Sequence, residues 1–145
     1  MRVERELMRG AGPVAVLKLL ETRGEMYGYE LVETLARQSD GVLAMGQSTL
    51  YPLLYNLQAK GLVKATWREG VAADANSASN AVGGGGVGGV GGSRDRKYYA
   101  LTDKGRTRIA AESKQWNALA RAMTSLGVID AAALPVKLGA KAVSA

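Results

Sequence analysis

The chain contains no cysteine and no histidine among its 145 residues. Without cysteine it cannot form a disulfide bond, and without either residue it lacks the commonest ligands of structural metal sites. A serine nucleophile activated by histidine, a cysteine nucleophile and a neutral-pH proton shuttle are excluded for the same reason. We therefore expect no metal site and no cofactor.

Long apolar runs are also missing. No uninterrupted apolar stretch approaches the roughly 20 residues that a membrane-spanning helix needs. The first six residues mix charges of both signs, which is not typical of a signal peptide. The hydrophobic fraction of 47% is sufficient for one domain with a small core. We therefore expect a cytoplasmic protein without a membrane segment.

Motifs for phosphate or acid–base chemistry are absent as well. The glycine-rich stretch 83–92 lacks the Lys-Ser/Thr pair that follows the glycines of a nucleotide-binding loop. The paired acids Glu30 and Glu33 fall on the exposed side of a predicted helix. For these reasons the sequence does not indicate an enzyme.

Charge is missing from one central stretch, residues 47–59. Leu50, Leu54 and Leu57 recur there at spacings of four and three residues, which predicts a helix with one buried stripe. A surface helix of this length usually carries Lys or Glu, so the uncharged polar side indicates contact with another molecule. The alternative is that the two tyrosines of this stretch only complete the hydrophobic core.

The ends of this predicted helix carry their own signals. Ser48 or Thr49 is expected to cap the first turn, which places Pro52 close to that turn, where backbone donors have no carbonyl partner. Gly61 is expected to end the helix. The helix should therefore lie within residues 47–61.

The basic residues are concentrated after this helix. Between Lys60 and Arg108 the chain has nine basic and four acidic residues, so this segment supplies +5 of the formal net charge of +6. A basic segment next to an uncharged polar helix is typical of nucleic-acid binding, where cations hold phosphates and neutral donors contact base edges. The alternative is an ordinary solvated charged surface.

Two further helices are predicted before the central stretch. Residues 1–12 are weakly patterned, and Pro13 is expected to be the first residue of an apolar helix that ends near Gly24. An amphipathic helix is predicted at roughly residues 28–39, followed by a break at residues 39–41. This helix, a short turn and the uncharged helix together predict a helix-turn-helix.

Two strands are predicted after the central helix, at Leu62–Trp67 and Lys97–Leu101. Three helices followed by a two-stranded hairpin, the wing, are typical of a winged helix. Residues 70–93 between the strands contain nine glycines and one charged residue, so we expect a flexible insertion with no DNA contacts of its own. DNA contact is assigned to the flanking basic residues Arg68, Arg94, Arg96 and Lys97.

A last helix is predicted from Asp103, with Thr102 as its cap. Apolar residues recur along it at spacings of seven, three, four and three, which is typical of a coiled-coil seam. Because little of a small three-helix core remains to be covered, we expect this seam to pack on a second copy of the chain. The alternative is that Trp116 packs on its own domain. The seam consists of Ile109, Trp116, Leu119, Met123 and Leu126.

Four motifs occur in the order found in one known family. They are Met26-Tyr27-Gly28-Tyr29-Glu30-Leu31, Ser48-Thr49-Leu50-Tyr51-Pro52-Leu53-Leu54, residues 57–63 with the core Lys60-Gly61-Leu62, and Lys97-Tyr98-Tyr99-Ala100-Leu101-Thr102-Asp103-Lys104-Gly105. With these motifs the chain resembles the PadR-like transcriptional regulators over about residues 7–125. The Tyr-Pro pair of the third helix and the Tyr-Tyr-x-Leu-Thr-x-x-Gly pattern that closes the wing seldom occur together elsewhere.

The resemblance implies a mainly α fold with a small β-hairpin, a winged helix-turn-helix followed by a C-terminal dimerisation helix. We expect a winged-helix DNA-binding domain at residues 1–101, with the insertion at 70–93 as a departure from the family pattern. The dimerisation helix is expected at residues 102–126, and a disordered tail at 127–145. A single helix after the wing is similar to the short PadR regulators, which include multidrug-responsive repressors.

The function that the resemblance implies is that of a ligand-responsive repressor, which binds double-stranded DNA at an inverted-repeat operator as a homodimer. A tryptophan at the position of Trp116 can line a ligand pore in such regulators, so Trp116 is expected to bind a small planar apolar effector. A winged-helix module that binds protein and not DNA is the alternative. The residues expected to contact DNA, with Tyr29 included by the resemblance, are Tyr29, Gln47, Ser48, Thr49, Tyr51, Tyr55, Lys64, Arg68, Arg94, Arg96 and Lys97.

Overall fold

The computed structural model describes residues 1–69 and 95–134. The helices and strands, in chain order, are α1 (Arg5–Arg23), β1 (Met26–Tyr27), α2 (Gly28–Gln38), α3 (Gln47–Ala59), β2 (Val63–Glu69), β3 (Asp95–Leu101) and α4 (Asp103–Ser125), followed by a 3-10 turn at Ala131–Ala133. This order of three helices, wing strands and a last helix confirms the predicted winged helix-turn-helix. Within these residues, none of the helices has the length and apolar character needed to cross a membrane.

Helix α1 begins at Arg5, so the prediction that Pro13 would start this helix is wrong. Pro13 lies inside the helix and has no N–H to donate to the carbonyl one turn earlier. The helix continues because residues on both sides of the proline are held by packing. Gly12 is buried against Leu53 of α3, and Val16 is fully buried in the core. These contacts offset the cost of the interior proline.

The sheet has three strands and not the predicted two, because Met26 and Tyr27 form a short strand before α2. Met26 pairs with Tyr99 and Tyr27 pairs with Tyr98, which gives the antiparallel strand order β1-β3-β2. Tyr27 is also the N-cap of α2, and its N–H donates to the Glu30 carboxylate at 3.2 Å. A strand of two residues is too short to produce an alternating pattern in the sequence.

Helix α3 begins directly after Gly46, which is its N-cap in place of the predicted Ser48 or Thr49. The Gly46 carbonyl accepts from the N–H groups of Thr49 at 3.1 Å and of Leu50 at 3.0 Å. Pro52 is therefore the sixth helical residue, later than expected. Its missing N–H leaves the Ser48 carbonyl without a helical donor, but Ser48 is exposed, so water can satisfy that carbonyl.

The apolar stripe and the end of α3 are as predicted. Leu50, Leu54 and Leu57 are all buried. Gly61 adopts a left-handed φ of 75°, and the Leu62 N–H donates back to the Leu57 carbonyl at 2.9 Å. This arrangement satisfies a terminal carbonyl of α3 and turns the chain into β2.

Strands β2 and β3 pair along their whole length, from Val63 opposite Leu101 to Glu69 opposite Asp95. Alternate residues of a strand point to opposite sides of the sheet. The side that packs on the helices, the inner face, carries Met26, Val63, Ala65, Trp67, Lys97, Tyr99 and Leu101. The opposite side, the outer face, carries Tyr27, Lys64, Thr66, Arg68, Arg96, Tyr98 and Ala100. The predicted insertion 70–93 lies outside the described residues.

The start of α4 is fixed against the end of α3. Thr102 caps α4 as predicted, since its hydroxyl accepts from the Gly105 N–H at 3.0 Å and donates to the Gly61 carbonyl at 2.6 Å. A Cβ on Gly105 would collide with the carbonyl oxygen of Leu62, so this close approach requires glycine.

Ile109 was predicted to lie in the dimer seam, but it is a core residue. The chain divides into two compact units, Met1–Ile109 and Ala110–Ala145, and Ile109 is 1% exposed within the core of the first. Because Ile109 follows Gly105 by one helical turn, it lies on the face of α4 that the glycine holds against the protein. The surface part of the seam therefore starts at Trp116.

The second unit begins within α4 and includes the rest of the predicted seam. Trp116 is 40% exposed, Leu119 is 47% exposed and Leu126 is 76% exposed, whereas Met123 is half-buried. Large apolar side chains are therefore accessible along the later turns of α4.

The predicted disordered tail, 127–145, is described up to residue 134. Helix α4 is followed by Gly127, which has a φ of 84°. Asp130 then caps the 3-10 turn by accepting from the Ala132 N–H at 3.0 Å. The remaining residues of the predicted tail lie outside the described part of the chain.

Candidate nucleic-acid interface

Helix α3 presents an uncharged polar face on the side opposite its leucine stripe. Ser48, Thr49, Tyr51 and Tyr55 are exposed, and Gln47 is half-buried. Tyr55 is 72% exposed, which excludes the alternative that this tyrosine completes the core. The face offers hydroxyl and amide groups, which can contact base edges as well as phosphates.

The N-terminus of α3 adds backbone donors to this face. No side chain caps the helix, and its N-cap, Gly46, has none to offer. The N–H groups of Gln47 and Ser48 precede the first intrahelical bonds, so they remain available as donors. Because the helix dipole also places partial positive charge here, this end of α3 suits a phosphate oxygen.

Tyr51 occupies a position between α3 and α2. Its ring lies over Gly28, where an added Cβ would come within 2.8 Å of the Tyr51 Oη. The residue is 43% exposed, so one edge of the ring is held by α2 while the other is open. Tyr29 follows Gly28 at the same end of α2 and is half-buried.

Tyr99 connects Tyr51 to the sheet. It is 3% exposed on the inner face, and burial raises the pKa of its phenol, with an added electrostatic contribution from Tyr51. The two phenols are therefore close enough to interact. Through its ring over Gly28, Tyr51 also links α3 to the first turn of α2.

The outer face of the sheet combines arginines with tyrosines and one carboxylate. Arg68 forms a two-point ion pair with Glu25, with Nη1–Oε1 at 2.7 Å and Nη2–Oε2 at 3.0 Å. The Arg68 guanidinium also lies 5.4 Å from the ring centre of Tyr98, and that of Arg96 lies 4.5 Å from the ring centre of Tyr27. These arginines are therefore positioned by contacts within the protein.

The inner face carries a different pair beyond the edge of the core. Lys97 is directly opposite Trp67, and its Nζ lies 5.9 Å from the ring centre of Trp67 and 5.7 Å from that of Tyr99. Trp67 was not among the residues predicted to contact DNA. The register of the strands places it on the inner face with Val63 and Ala65, but it is 66% exposed.

The structure thus divides the predicted DNA-binding residues into three groups. Gln47, Ser48, Thr49, Tyr51 and Tyr55 share α3, with Tyr29 at the adjoining end of α2. Lys64, Arg68 and Arg96 lie on the outer face, and Lys97 lies on the inner face. Arg94 lies outside the described residues. Sequence reasoning also missed Glu25, Tyr27 and Tyr98, because their contacts with Arg68 and Arg96 join distant parts of the chain.

The chemistry of these groups is that of binding. They offer hydroxyl, amide and backbone donors, cations and aromatic rings. Over residues 1–69 and 95–134 there is no group of three or more acidic, histidine or cysteine side chains that could hold a metal ion.

Comparison with known proteins gives one family. Residues 16–76 match the profile of the Transcriptional regulator PadR-like family. A PadR family transcriptional regulator from Eggerthella lenta is 30% identical, with a TM-score of 0.62 over 86% of this chain and 88% of that one. A Streptococcus transcriptional regulator is 27% identical, with a TM-score of 0.61 over 86% of this chain and 99% of that one.

A PadR-like transcriptional regulator from Bacillus cereus shares the fold at 22% identity, with a TM-score of 0.61 over 86% of this chain and 99% of that one. A search of curated proteins gave no match.

Proposed function

The chain belongs to the PadR-like family of transcriptional regulators, and on that premise we propose that it is a repressor that binds an inverted-repeat DNA operator as a homodimer. Members of this family are transcriptional regulators and not enzymes. The observation that carries the proposal is the exposed, uncharged face of α3 with its open N-terminus.

This face fits the major groove of DNA. A helix of 13 residues is about 20 Å long, and the groove is about 12 Å wide, so the first turns of α3 can enter it. The Gln47 amide can bond an adenine edge, and the hydroxyls of Ser48 and Thr49 can bond bases or phosphates. Tyr55 and Tyr29 are proposed to contact the DNA backbone.

The specificity of such an interface should be moderate. No arginine lies on the polar face of α3 to form the two-point contact with guanine that is the commonest specific contact. Discrimination then depends on amide, hydroxyl and methyl contacts from this one helix. Affinity depends to a larger extent on the basic residues of the wing, including Lys64 and Lys97.

The dimer is proposed to form through the later turns of α4. Trp116, Leu119, Met123 and Leu126 provide the contact, without Ile109. Two copies of α3 related by a two-fold axis would contact half-sites about 10 base pairs apart, roughly one turn of the duplex.

Selection of bound duplexes from a random pool tests this function. Enriched sequences are expected to be inverted repeats whose half-site centres lie about 10 base pairs apart. Enriched sites without two-fold symmetry would contradict binding as a dimer. A pool that remains unenriched at moderate salt would contradict sequence-specific binding altogether.

Regulation by a small planar apolar effector is proposed at Trp116, by its resemblance to the pore tryptophan of short PadR regulators. An effector that prefers a dimer with the wrong spacing of its α3 helices weakens DNA binding by its differential affinity for the two states. Candidate compounds are expected to quench the fluorescence of wild-type protein, and Trp116→Leu should abolish this quenching. A response that persists in Trp116→Leu would come from Trp67 and would contradict the proposal.

A further inference from the structure

The wing carries a large exposed aromatic side chain that the proposed mechanism does not use. Trp67 is 66% exposed, although it lies on the inner face of the sheet. Tryptophan is enriched at binding surfaces because it supplies a rigid apolar area together with a hydrogen-bond donor. We propose that Trp67 contacts the DNA backbone next to Lys97, an inference that rests on the proposed DNA-binding function.

The register of the strands places the two side chains together. Trp67 is directly opposite Lys97, and the Lys97 Nζ lies 5.9 Å from the centre of the indole ring. Val63, on the same face, is buried, and four residues of strand correspond to about 13 Å. The indole therefore extends the inner face past the edge of the core.

Tyr99 lies beside this pair on the inner face. The Lys97 Nζ lies 5.7 Å from the ring centre of Tyr99, and Tyr99 interacts electrostatically with Tyr51. Tyr51 is 43% exposed and belongs to the polar face of α3. Lys97 and Tyr51 therefore both neighbour the same buried tyrosine, Tyr99.

Arg68 on the outer face differs from Lys97 in its partner. Arg68 is held in a two-point ion pair by Glu25, so a phosphate would have to displace this carboxylate and would be repelled by it. The rings of Trp67 and Tyr99 have no net charge, so they position the Lys97 ammonium without neutralising it.

The chemistry of the pair fits the sugar–phosphate backbone next to the groove that α3 enters. The indole can pack on a deoxyribose, and the ammonium can reach the adjoining phosphate. Because neither contact involves a base edge, the gain in affinity should be the same for any sequence. Loss of an aromatic side chain that stacks on nucleic acid typically weakens binding about ten-fold or more.

The first experiment obtains the Trp67 fluorescence as the difference between the full wild-type chain and Trp67→Phe, in which Trp116 is the remaining tryptophan. An operator duplex is added, and the anisotropy of a label on the DNA reports binding separately. The Trp67 fluorescence is expected to change and to reach saturation at the same DNA concentration as the anisotropy. Binding without any change in Trp67 emission would overturn the inference. A wild-type protein that binds no duplex would overturn the proposed function itself.

The second experiment measures affinity for operator and for unrelated duplex. Trp67→Leu is expected to weaken both about ten-fold. The double variant Thr66→Trp/Trp67→Leu moves the indole to the exposed outer-face position of the same strand and should not restore binding. Full affinity in Trp67→Leu, or recovery in the double variant, would overturn the assignment to the inner face.

Charge is tested with a matched pair of lysines. Lys97→Gln should reduce the magnitude of the slope of log affinity against log salt by about one, as expected for the loss of one phosphate contact. Lys18→Gln removes the same charge from the exposed side of α1, where Lys18 pairs with Glu21 at 2.7 Å, and should leave the slope unchanged. Equal slopes for Lys97→Gln and Lys18→Gln would overturn the phosphate contact of Lys97.

Discussion

Gly28 is a position at which α2 has no room for a side chain. A Cβ added there would lie 2.8 Å from the Tyr51 Oη and 2.9 Å from its Cε1. The Tyr-Gly-Tyr motif of α2 and the Tyr-Pro motif of α3 are thereby physically connected, since one provides a space and the other provides the ring that fills it.

Gly28→Ala is expected to lower the free energy of unfolding by about 1 kcal/mol, because the phenol must leave a packed position. In a Tyr51→Ala background the same substitution should instead raise stability by about 0.5 kcal/mol, since alanine loses less backbone entropy on folding than glycine. Urea unfolding of all four proteins measures the coupling. The same effect in both backgrounds would mean that the two residues do not share this space.

Tyr99 should give the protein a dependence on alkaline pH. Burial, with a further contribution from Tyr51, raises the pKa of the Tyr99 phenol, so the unfolded chain loses this proton more readily than the folded chain. The resulting stability is complete below the ordinary tyrosine pKa of about 10 and is lost as pH rises through the raised value.

Tyr99→Phe should therefore show a smaller fall in unfolding free energy than the wild type between about pH 9 and pH 11. Urea unfolding at several pH values provides the measurement, with Tyr55→Phe as the control because Tyr55 is 72% exposed. Parallel profiles for the wild type and Tyr99→Phe would rule out this contribution.

At the scale of the element, α3 has exposed polar residues at both ends, but base contact is assigned to the N-terminal end alone. Gln47→Ala is expected to weaken operator binding by about 1–3 kcal/mol and to affect unrelated duplex much less. Gln58→Ala removes the same amide from the exposed last turns of the helix and is the matched control. Anisotropy titrations that give equal losses for both variants, or on both duplexes, would argue against base recognition by Gln47.

Helix α4 combines a core residue with a proposed dimer surface, and the two roles can be separated. Ile109→Ala should lower the free energy of unfolding by about 2–5 kcal/mol, because Ile109 is buried in the core. Leu119→Ala, at a position 47% exposed, should instead weaken dimerisation. Urea unfolding and sedimentation of both variants make the comparison. A Leu119→Ala protein as dimeric as the wild type would exclude Leu119 from the interface.

Features set by local chemistry were predictable from the sequence. The spacing of the leucines identified the buried stripe of α3, Gly61 supplied the left-handed conformation that ends it, and the Thr102 hydroxyl capped α4. Each depends on residues within a few positions of one another, so the sequence contains the whole signal.

Features set by distant contacts were not predictable. Helix α1 continues through Pro13 because Gly12 packs on Leu53, some 40 residues later in the chain. Strand β1 exists because Met26 and Tyr27 pair with β3, and Ile109 is buried because Gly105 approaches Leu62. Local patterns cannot indicate which of these distant segments meet.

At the scale of the whole molecule, the sequence predicted which residue types form the candidate site but not how these residues divide between the two faces of the sheet. Arg68, Arg96 and Lys97 appeared as one basic group on the flanks of the insertion. The register of β2 and β3 places the arginines on the outer face and Lys97 on the inner face. The ion pair of Arg68 with Glu25, 43 residues away, had no signal in the sequence.

The segment between the wing strands can be removed as a test of its role. Deleting residues 72–92 leaves four residues between Glu69 and Asp95. Glu69 and Asp95 are themselves directly paired across the two strands. Operator affinity should stay nearly unchanged, because the segment carries a single charged residue, Asp74. Stability should rise by up to about 1.5 kcal/mol, because a shorter connection has a smaller closure entropy. A ten-fold loss of affinity would show that the segment takes part in binding.

The direct pairing of Glu69 with Asp95 means that the chain leaves the sheet and returns to it at neighbouring points. A foreign sequence whose two ends lie close together can be joined at these points without altering the register of either strand. The end of the wing is therefore a natural place to graft an epitope or a small reporter domain onto this regulator.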